Sequence, residues 1–177
     1  MTKINIFPII RDHLASLRDA HSKNASFFDY FIFYLVPFVI ALGAYCTKFV
    51  IDRESYSASI TFFGIFIALL LNIQMAMFGI YQRKWEVDDD EISAVVDEQK
   101  IETRRVLLGE INANVSYLIV VCCLALVVVL LSYIENAKGV LSAAATAFLY
   151  AHFLLTMLMV VKRAHALFQR EYRGTDE

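Results

Sequence analysis

The sequence has no Gly-rich phosphate loop, no nucleophile elbow and no HExxH zinc-protease motif. Lone Asn, Gln and His residues in separate apolar segments also make a poor catalytic constellation. We therefore expect no enzyme, no cofactor and no metal centre. An excess of basic residues is missing too, because the formal net charge is −2 and the pI is about 6.1. The charge balance predicts no direct contact with nucleic acid.

Cysteine is scarce, and its positions exclude a disulfide framework. The three cysteines, Cys46, Cys122 and Cys123, all lie inside apolar runs. Adjacent cysteines on a helix point about 100° apart, so no paired or zinc-binding arrangement can be inferred from them. We interpret them as small, polarizable packing residues.

Apolar residues are abundant and clustered. They make up 59% of the chain, with a mean hydropathy of +0.57, against about 45–50% in soluble domains. Four runs of about 20 residues, the length that crosses a bilayer, contain no Lys, Arg or Glu, and Asp29 is the only acid in them. The runs are 27–46, 60–81, 115–134 and 140–161. They predict an all-α polytopic membrane protein, a four-transmembrane-helix bundle with helical cytoplasmic extensions.

The distribution of Lys and Arg predicts the orientation. Thirteen of the sixteen lie in segments 1–26, 82–114 and 162–177. Positive residues accumulate on the cytoplasmic side, so both termini and the loop 82–114 are predicted to be cytoplasmic. The two external loops are short and leave little room for a receptor domain.

The N-terminal segment 1–26 has the pattern of a short amphipathic helix. Pro8 is a helix-start signal, and Ile10, Leu14 and Leu17 follow on one face. Two interpretations remain open. The helix lies on the inner leaflet, or it packs on the protein's own cytoplasmic part.

The loop 82–114 opens with an acidic cluster that includes Asp88, Asp89, Asp90 and Glu91. We predict a helix over 89–112 that continues into the third span, with the acids capping its first turn. Docking of a basic partner surface is a second interpretation. A divalent cation site is a third, although the spaced ligands of a calcium loop are missing.

Three polar side chains lie near the middle of the predicted spans, where an unpaired polar group is unfavourable. Asn72 lies among small residues at i+4 spacing, which favours a structural contact between helices. Gln74 lies about 200° further round the same helix and is assigned to an oligomer interface or a pore lining. His152 is interpreted as a neutral imidazole bonded to a neighbouring helix, with proton relay and metal binding as alternatives.

The segments IFPIIRDHLASL, WEVDDDEI and LLGEINANVSYLIV, together with the four-span architecture, resemble the membrane subunit of the bacterial Kiwa anti-phage system. The resemblance implies a homo-oligomeric inner-membrane sensor, with a tetramer favoured. Such a sensor holds and activates a soluble cytoplasmic effector that binds DNA. Topology alone suggests the docking residues, which are Asp88, Asp89, Asp90, Glu91, Arg104, Arg105, Lys162, Arg163, Arg170 and Arg173.

Two other functions are compatible with this sequence. A small homo-oligomeric pore or membrane-disrupting effector would use Gln74, but no polar stripe or ring of charges continues across the bilayer. A passive anchoring protein without a sensing role is the other.

Overall fold

A computed structural model describes residues 5–17, 31–82, 91–134 and 139–173, without the side chains of 91–100 and 170–173. Every regular element within these ranges is a helix, which confirms the all-α prediction. The helices in chain order are α1 (Phe7–Ser16), α2 (π-helical over Phe31–Leu35, then α-helical over Val36–Cys46), α3 (Arg53–Tyr81), α4 (Glu91–Ile134) and α5 (Val140–Arg173).

Three of the described helices are long and apolar enough to cross a membrane. Their apolar stretches are Arg53–Tyr81, Ile101–Ile134 and Val140–Gln169. The described part of the first predicted span forms a shorter apolar helix, Phe31–Cys46, and residues 27–30 lie outside the described ranges. The chain therefore has the helices of a membrane protein, while the count of four spans stays a prediction.

The helices extend beyond the apolar runs. The third helix begins at Arg53 rather than near residue 60, because Asp52 caps it by accepting a hydrogen bond from the Ser55 backbone N–H at 2.8 Å. The same bonds to Ser55 lower the pKa of Asp52. As predicted, the helix that precedes the third span continues into it without a break, over Glu91–Ile134.

The packing places α4 at the centre. It lies against α3 and α5, while α2 packs along α5 and α1 along the N-terminal half of α4. Aromatic rings join α3 to α5, as in the contact of Phe63 with Phe153 at 5.9 Å between centroids. Among the described residues, no Cα of α2 comes within 8 Å of one in α3. The two helices α2 and α3 therefore form opposite edges.

The first helix packs on the chain itself. Pro8 stands in its first turn, and His13, Ser16 and Leu17 are buried against the rest of the protein. Of the two interpretations of the N-terminal segment, the structure shows the intramolecular one. The predicted apolar stripe does not by itself explain why α1 packs here, because the most buried side chain of the helix is the polar His13.

Candidate functional site

A cluster of polar side chains lies where α1, α4 and α5 meet, and we call it the polar junction. Five of its members are buried, and the side chains of the other two, Glu110 and Arg163, are 24% and 18% exposed. Its members are His13, Ser16, Glu110, Asn114, Tyr117, His152 and Arg163. Buried polar groups are stable only when they are paired, so each bond of this cluster constrains how the helices meet.

At one end of the junction, His152 bonds to a backbone carbonyl of α2 that lacks its usual partner within the helix. Pro37 has no N–H to offer the carbonyl of Phe33 four residues earlier. His152 Nδ1 donates to that carbonyl at 3.0 Å. A carbonyl only accepts, so the proton of the neutral ring is on Nδ1, and Nε2 is an acceptor. Inside a membrane such a freed carbonyl needs a partner from a neighbouring helix.

Tyr117 connects this end to α1. Its hydroxyl donates to His152 Nε2 at 2.8 Å, which follows from the tautomer of that ring. Its ring stacks on the His13 ring, with 3.7 Å between centroids and 4° between planes. One side chain of α4 thus contacts polar groups of both α1 and α5.

Asn114 holds α1 by two hydrogen bonds. Its Oδ1 accepts from His13 Nδ1 at 2.7 Å and from the Ser16 hydroxyl at 3.0 Å. Its Nδ2 donates to the Glu110 carbonyl at 2.7 Å, which identifies Oδ1 as the acceptor. His13 Nε2 is buried without a hydrogen-bond partner in the described part of the chain.

Arg163 ties the end of α1 to both long helices. It pairs with Glu110 at 3.1 Å and donates a hydrogen bond to the Ser16 carbonyl. The C-terminal end of a helix carries unpaired carbonyls and partial negative charge, so a cation there is favourable. Beside this contact, a cleft of about 460 Å³ opens between α1 and α4, lined in part by Asp12 and Asn112.

The structure pairs two of the three intramembrane polar residues. His152 is bonded to neighbouring helices, as its first interpretation predicted. Gln74 donates from Nε2 to the Ser116 hydroxyl of α4 at 2.9 Å, so its amide has a partner within the chain. Asn72 lies on the outer face of α3, away from that contact. The assignment of Gln74 to an oligomer interface or a pore lining stays a prediction, and its Nε2 already has a partner inside the chain.

The proposed docking residues are distributed unevenly. Asp88, Asp89 and Asp90 lie outside the described residues, and the side chain of Glu91 is not described. Among the basic residues, Arg105 and Lys162 are exposed and Arg104 is half-buried. The basic residues Arg170 and Arg173 lie on the last turns of α5, without described side chains. Arg163 differs from the others, because its guanidinium contacts Glu110 and the end of α1, and its part in docking stays a prediction.

Sequence reasoning missed His13, Asn114 and Tyr117, since each is unremarkable in its own segment. One signal was present for His152. Pro37 within an apolar run implies an unpaired carbonyl at Phe33, and the imidazole of a later span is a suitable donor. No such signal exists for His13, whose partner is 101 residues away.

The described residues offer few groups for metal binding or thiol chemistry. No group of three His, Cys, Asp or Glu side chains there is placed to hold a metal ion. The thiol of Cys122 is buried, whereas Cys46 and Cys123 are exposed, and all three are free.

The docking of α1 is expected to depend on pH. Burial, helped by the positive charge of Arg163, lowers the pKa of His13 from 6.5 to about 4. The undocked helix therefore takes up a proton at a higher pH than the docked one. Docking is at full strength above pH 6.5 and weakens as the pH falls towards 4, by up to about 3 kcal/mol. The protection factors of residues 7–16, which correct exchange for the pH dependence of the intrinsic amide rate, should fall over this window.

A matched variant isolates the imidazole. His13→Phe keeps a ring on Tyr117 and removes the titrating group, so the protection factors of α1 should lose their dependence on pH between 6.5 and 4. A dependence that persists in this variant would show that another group controls docking.

Comparison with models of protein families, with curated proteins and with solved structures finds no match. A functional proposal for this chain therefore rests on its own residues and geometry.

Proposed function

We propose that the chain is a sensor and scaffold subunit of a bacterial inner membrane that spans the bilayer four times. It forms a homo-oligomer, with a tetramer favoured, and its termini and the loop 82–114 face the cytoplasm. There it recruits or controls a soluble effector protein in defence against phage. The membrane is the site of sensing, because the predicted external loops are short.

The observation that carries the proposal is the continuity of the polar junction. His152 and Tyr117 lie within the predicted spans, and His13 and Ser16 lie on a helix outside them. A change in how α2, α4 and α5 pack in the bilayer alters the Phe33–His152–Tyr117 contacts. The stacked His13 ring then changes its environment, and with it the docking of α1. Such a two-state contact is what transmission between a membrane and a soluble surface requires.

The projecting ends of α4 and α5 support the scaffold part of the proposal. The Glu110–Arg163 ion pair brings the two helices together at the end that carries α1. Exposed Arg105 and Lys162 flank this pair on α4 and α5. Basic side chains on two rigid helices suit an acidic patch of a partner, with the cleft beside α1 between them. Lys and Arg on this side also agree with a cytoplasmic location.

Charge reversal at these two positions tests the scaffold function. In the variant Arg105→Glu/Lys162→Glu, we expect recovery of a soluble partner to fall at least tenfold, because two attractive contacts become repulsive. The full chain is purified from its native membranes in mild detergent through a C-terminal tag, and copurifying proteins are quantified by mass spectrometry. The control is Lys48→Glu, which reverses the charge of one exposed residue at the opposite end.

Equal recovery of the partner by wild type and double variant would contradict docking at this surface. A homo-oligomer that emerges without any soluble protein would contradict the effector part and favour the alternative, a small pore. Ion flux through liposomes that contain wild type or Gln74→Leu would then test conduction.

A further inference from the structure

The outer face of α3 carries an amide within an otherwise apolar surface. Asn72 is exposed and lies nine residues before the end of the helix at Tyr81, about 13 Å along its axis. Exposed apolar side chains surround it, including Leu69 and Met75. Within the described part of the chain, the Asn72 side chain has no hydrogen-bond partner.

In the hydrocarbon core of a bilayer, the exposed Asn72 amide would lack a hydrogen-bond partner. Lipid tails offer no hydrogen bonds, so an amide at this depth is unfavourable until another protein group pairs with it. The same helix is the least covered of the three long apolar ones: 11% of its apolar window is buried, against 44% and 39% for α4 and α5. The amide therefore indicates that protein covers this face in a bilayer, and the low burial shows that the chain itself leaves the face open.

The surface around Asn72 permits close approach of another helix. Ala68 and Ala76 lie one turn away on either side, and Gly64 lies two turns away. A Cβ built on Gly64 would meet no atom within 4 Å, so the groove at that point is open. Small residues at this spacing let helix backbones come near enough for side-chain amides to bond across the contact.

We propose that the face of α3 centred on Asn72 is a contact between two copies of this chain. Copies inserted in the same orientation hold Asn72 at the same depth. An amide is both donor and acceptor, so across a two-fold axis each Asn72 pairs with its own equivalent. This contact by itself makes a dimer, and the proposed tetramer would join two such dimers through a second surface. The opposite edge, α2, contains no Asn or Gln over Phe31–Cys46, and its exposed Tyr45 lies at the end of the helix away from the depth of Asn72, so an α2–α3 contact would give the amide no partner. The inference rests on the membrane insertion in the proposed function and not on the effector.

Removal of the amide tests the contact. Asn72→Leu is expected to weaken self-association about threefold to thirtyfold, the range for one interhelical amide contact in a bilayer. Association is measured by energy transfer between labelled full-length chains in liposomes, as a function of the protein-to-lipid ratio. Asn72 is exposed in the monomer, so helix content and thermal stability should not change. Asn72→Gln, which keeps an amide, should restore most of the affinity.

Gln74→Leu is the matched control on the same helix. It removes an amide that is bonded within the chain to Ser116, so self-association should remain within about twofold of wild type. If Asn72→Leu associates as tightly as wild type, or if wild type is monomeric in liposomes, the proposal is overturned.

Cross-linking tests the same face by geometry. In a background with Cys46→Ala and Cys123→Ala, the variant Ala76→Cys should form a covalent dimer on mild oxidation. Val39→Cys places a thiol on the exposed face of α2 and should not. Equal cross-linking by both variants would contradict a specific α3 contact. A monomer that still captures a soluble partner overturns only this inference, and an oligomer that captures none overturns only the effector function.

Discussion

Replacing Arg163 with methionine is expected to lower the free energy of unfolding by about 2–4 kcal/mol, somewhat less than for a fully buried ion pair. The change leaves the carboxylate of Glu110, which is only 24% exposed, without its partner. It also removes the donor to the Ser16 carbonyl at the end of α1. Chemical unfolding of the purified protein in detergent micelles measures the loss. Hydrogen exchange of α1 should rise in the same variant.

Two further variants separate this effect from a general loss of charge. Lys162→Met removes the preceding, exposed cation and should change stability by no more than about 0.5 kcal/mol. The double variant Glu110→Met/Arg163→Met should recover most of the loss, because apolar side chains of similar volume often replace a buried ion pair at little cost. A double variant as unstable as Arg163→Met alone would mean that the contact with α1, not the ion pair, dominates.

Replacing His152 with leucine is expected to cost about 2–4 kcal/mol, because the Phe33 carbonyl loses its side-chain donor and the Tyr117 hydroxyl keeps only Tyr34. The Phe33 carbonyl loses its donor, and the Tyr117 hydroxyl loses its acceptor. Both residues lie within the predicted spans, where lipid offers no replacement partner. The expected result is a lower denaturation midpoint and greater exchange in α1, because Tyr117 also supports the His13 ring.

A second substitution, in α2, should restore part of the stability that His152→Leu loses. Pro37→Ala restores a backbone N–H that can bond to the Phe33 carbonyl within the helix. Pro37→Ala/His152→Leu should therefore regain about 2 kcal/mol relative to His152→Leu. Tyr117→Phe, which removes only the hydroxyl and keeps the ring on His13, should cost less than His152→Leu. No gain from Pro37→Ala would contradict the view that His152 serves the proline-freed carbonyl.

These two variants also bear on how the polar junction works. Each one breaks it at a different end, Arg163 beside α1 and His152 beside α2. If the junction transmits a change between the membrane and α1, both variants should raise exchange in α1. If it is a set of independent bonds, only Arg163→Met should do so. The comparison therefore separates a coupled network from a local one.

Much of the architecture could be predicted from the residues alone. Apolar runs of about 20 residues identify membrane helices because the bilayer selects for length and hydrophobicity, which are local properties. Pro8 marked the start of α1, and the segment ahead of the third span was correctly predicted to continue into it. The position of His152 in an apolar run was enough to predict a hydrogen bond to another helix.

Only the tertiary structure shows which side chains contact each other. Arg163 lies in a basic segment and looked like a docking residue, yet it pairs with Glu110 and the end of α1, 147 positions from Ser16. Gln74 and Asn72 differ by two positions, and only the rotation of α3 decides that one amide faces α4 and the other faces outward. The spacing and the apolar character of the residues in one segment are enough to predict a helix there. Its rotation and neighbours depend on the packing of every helix at once, which no single segment contains.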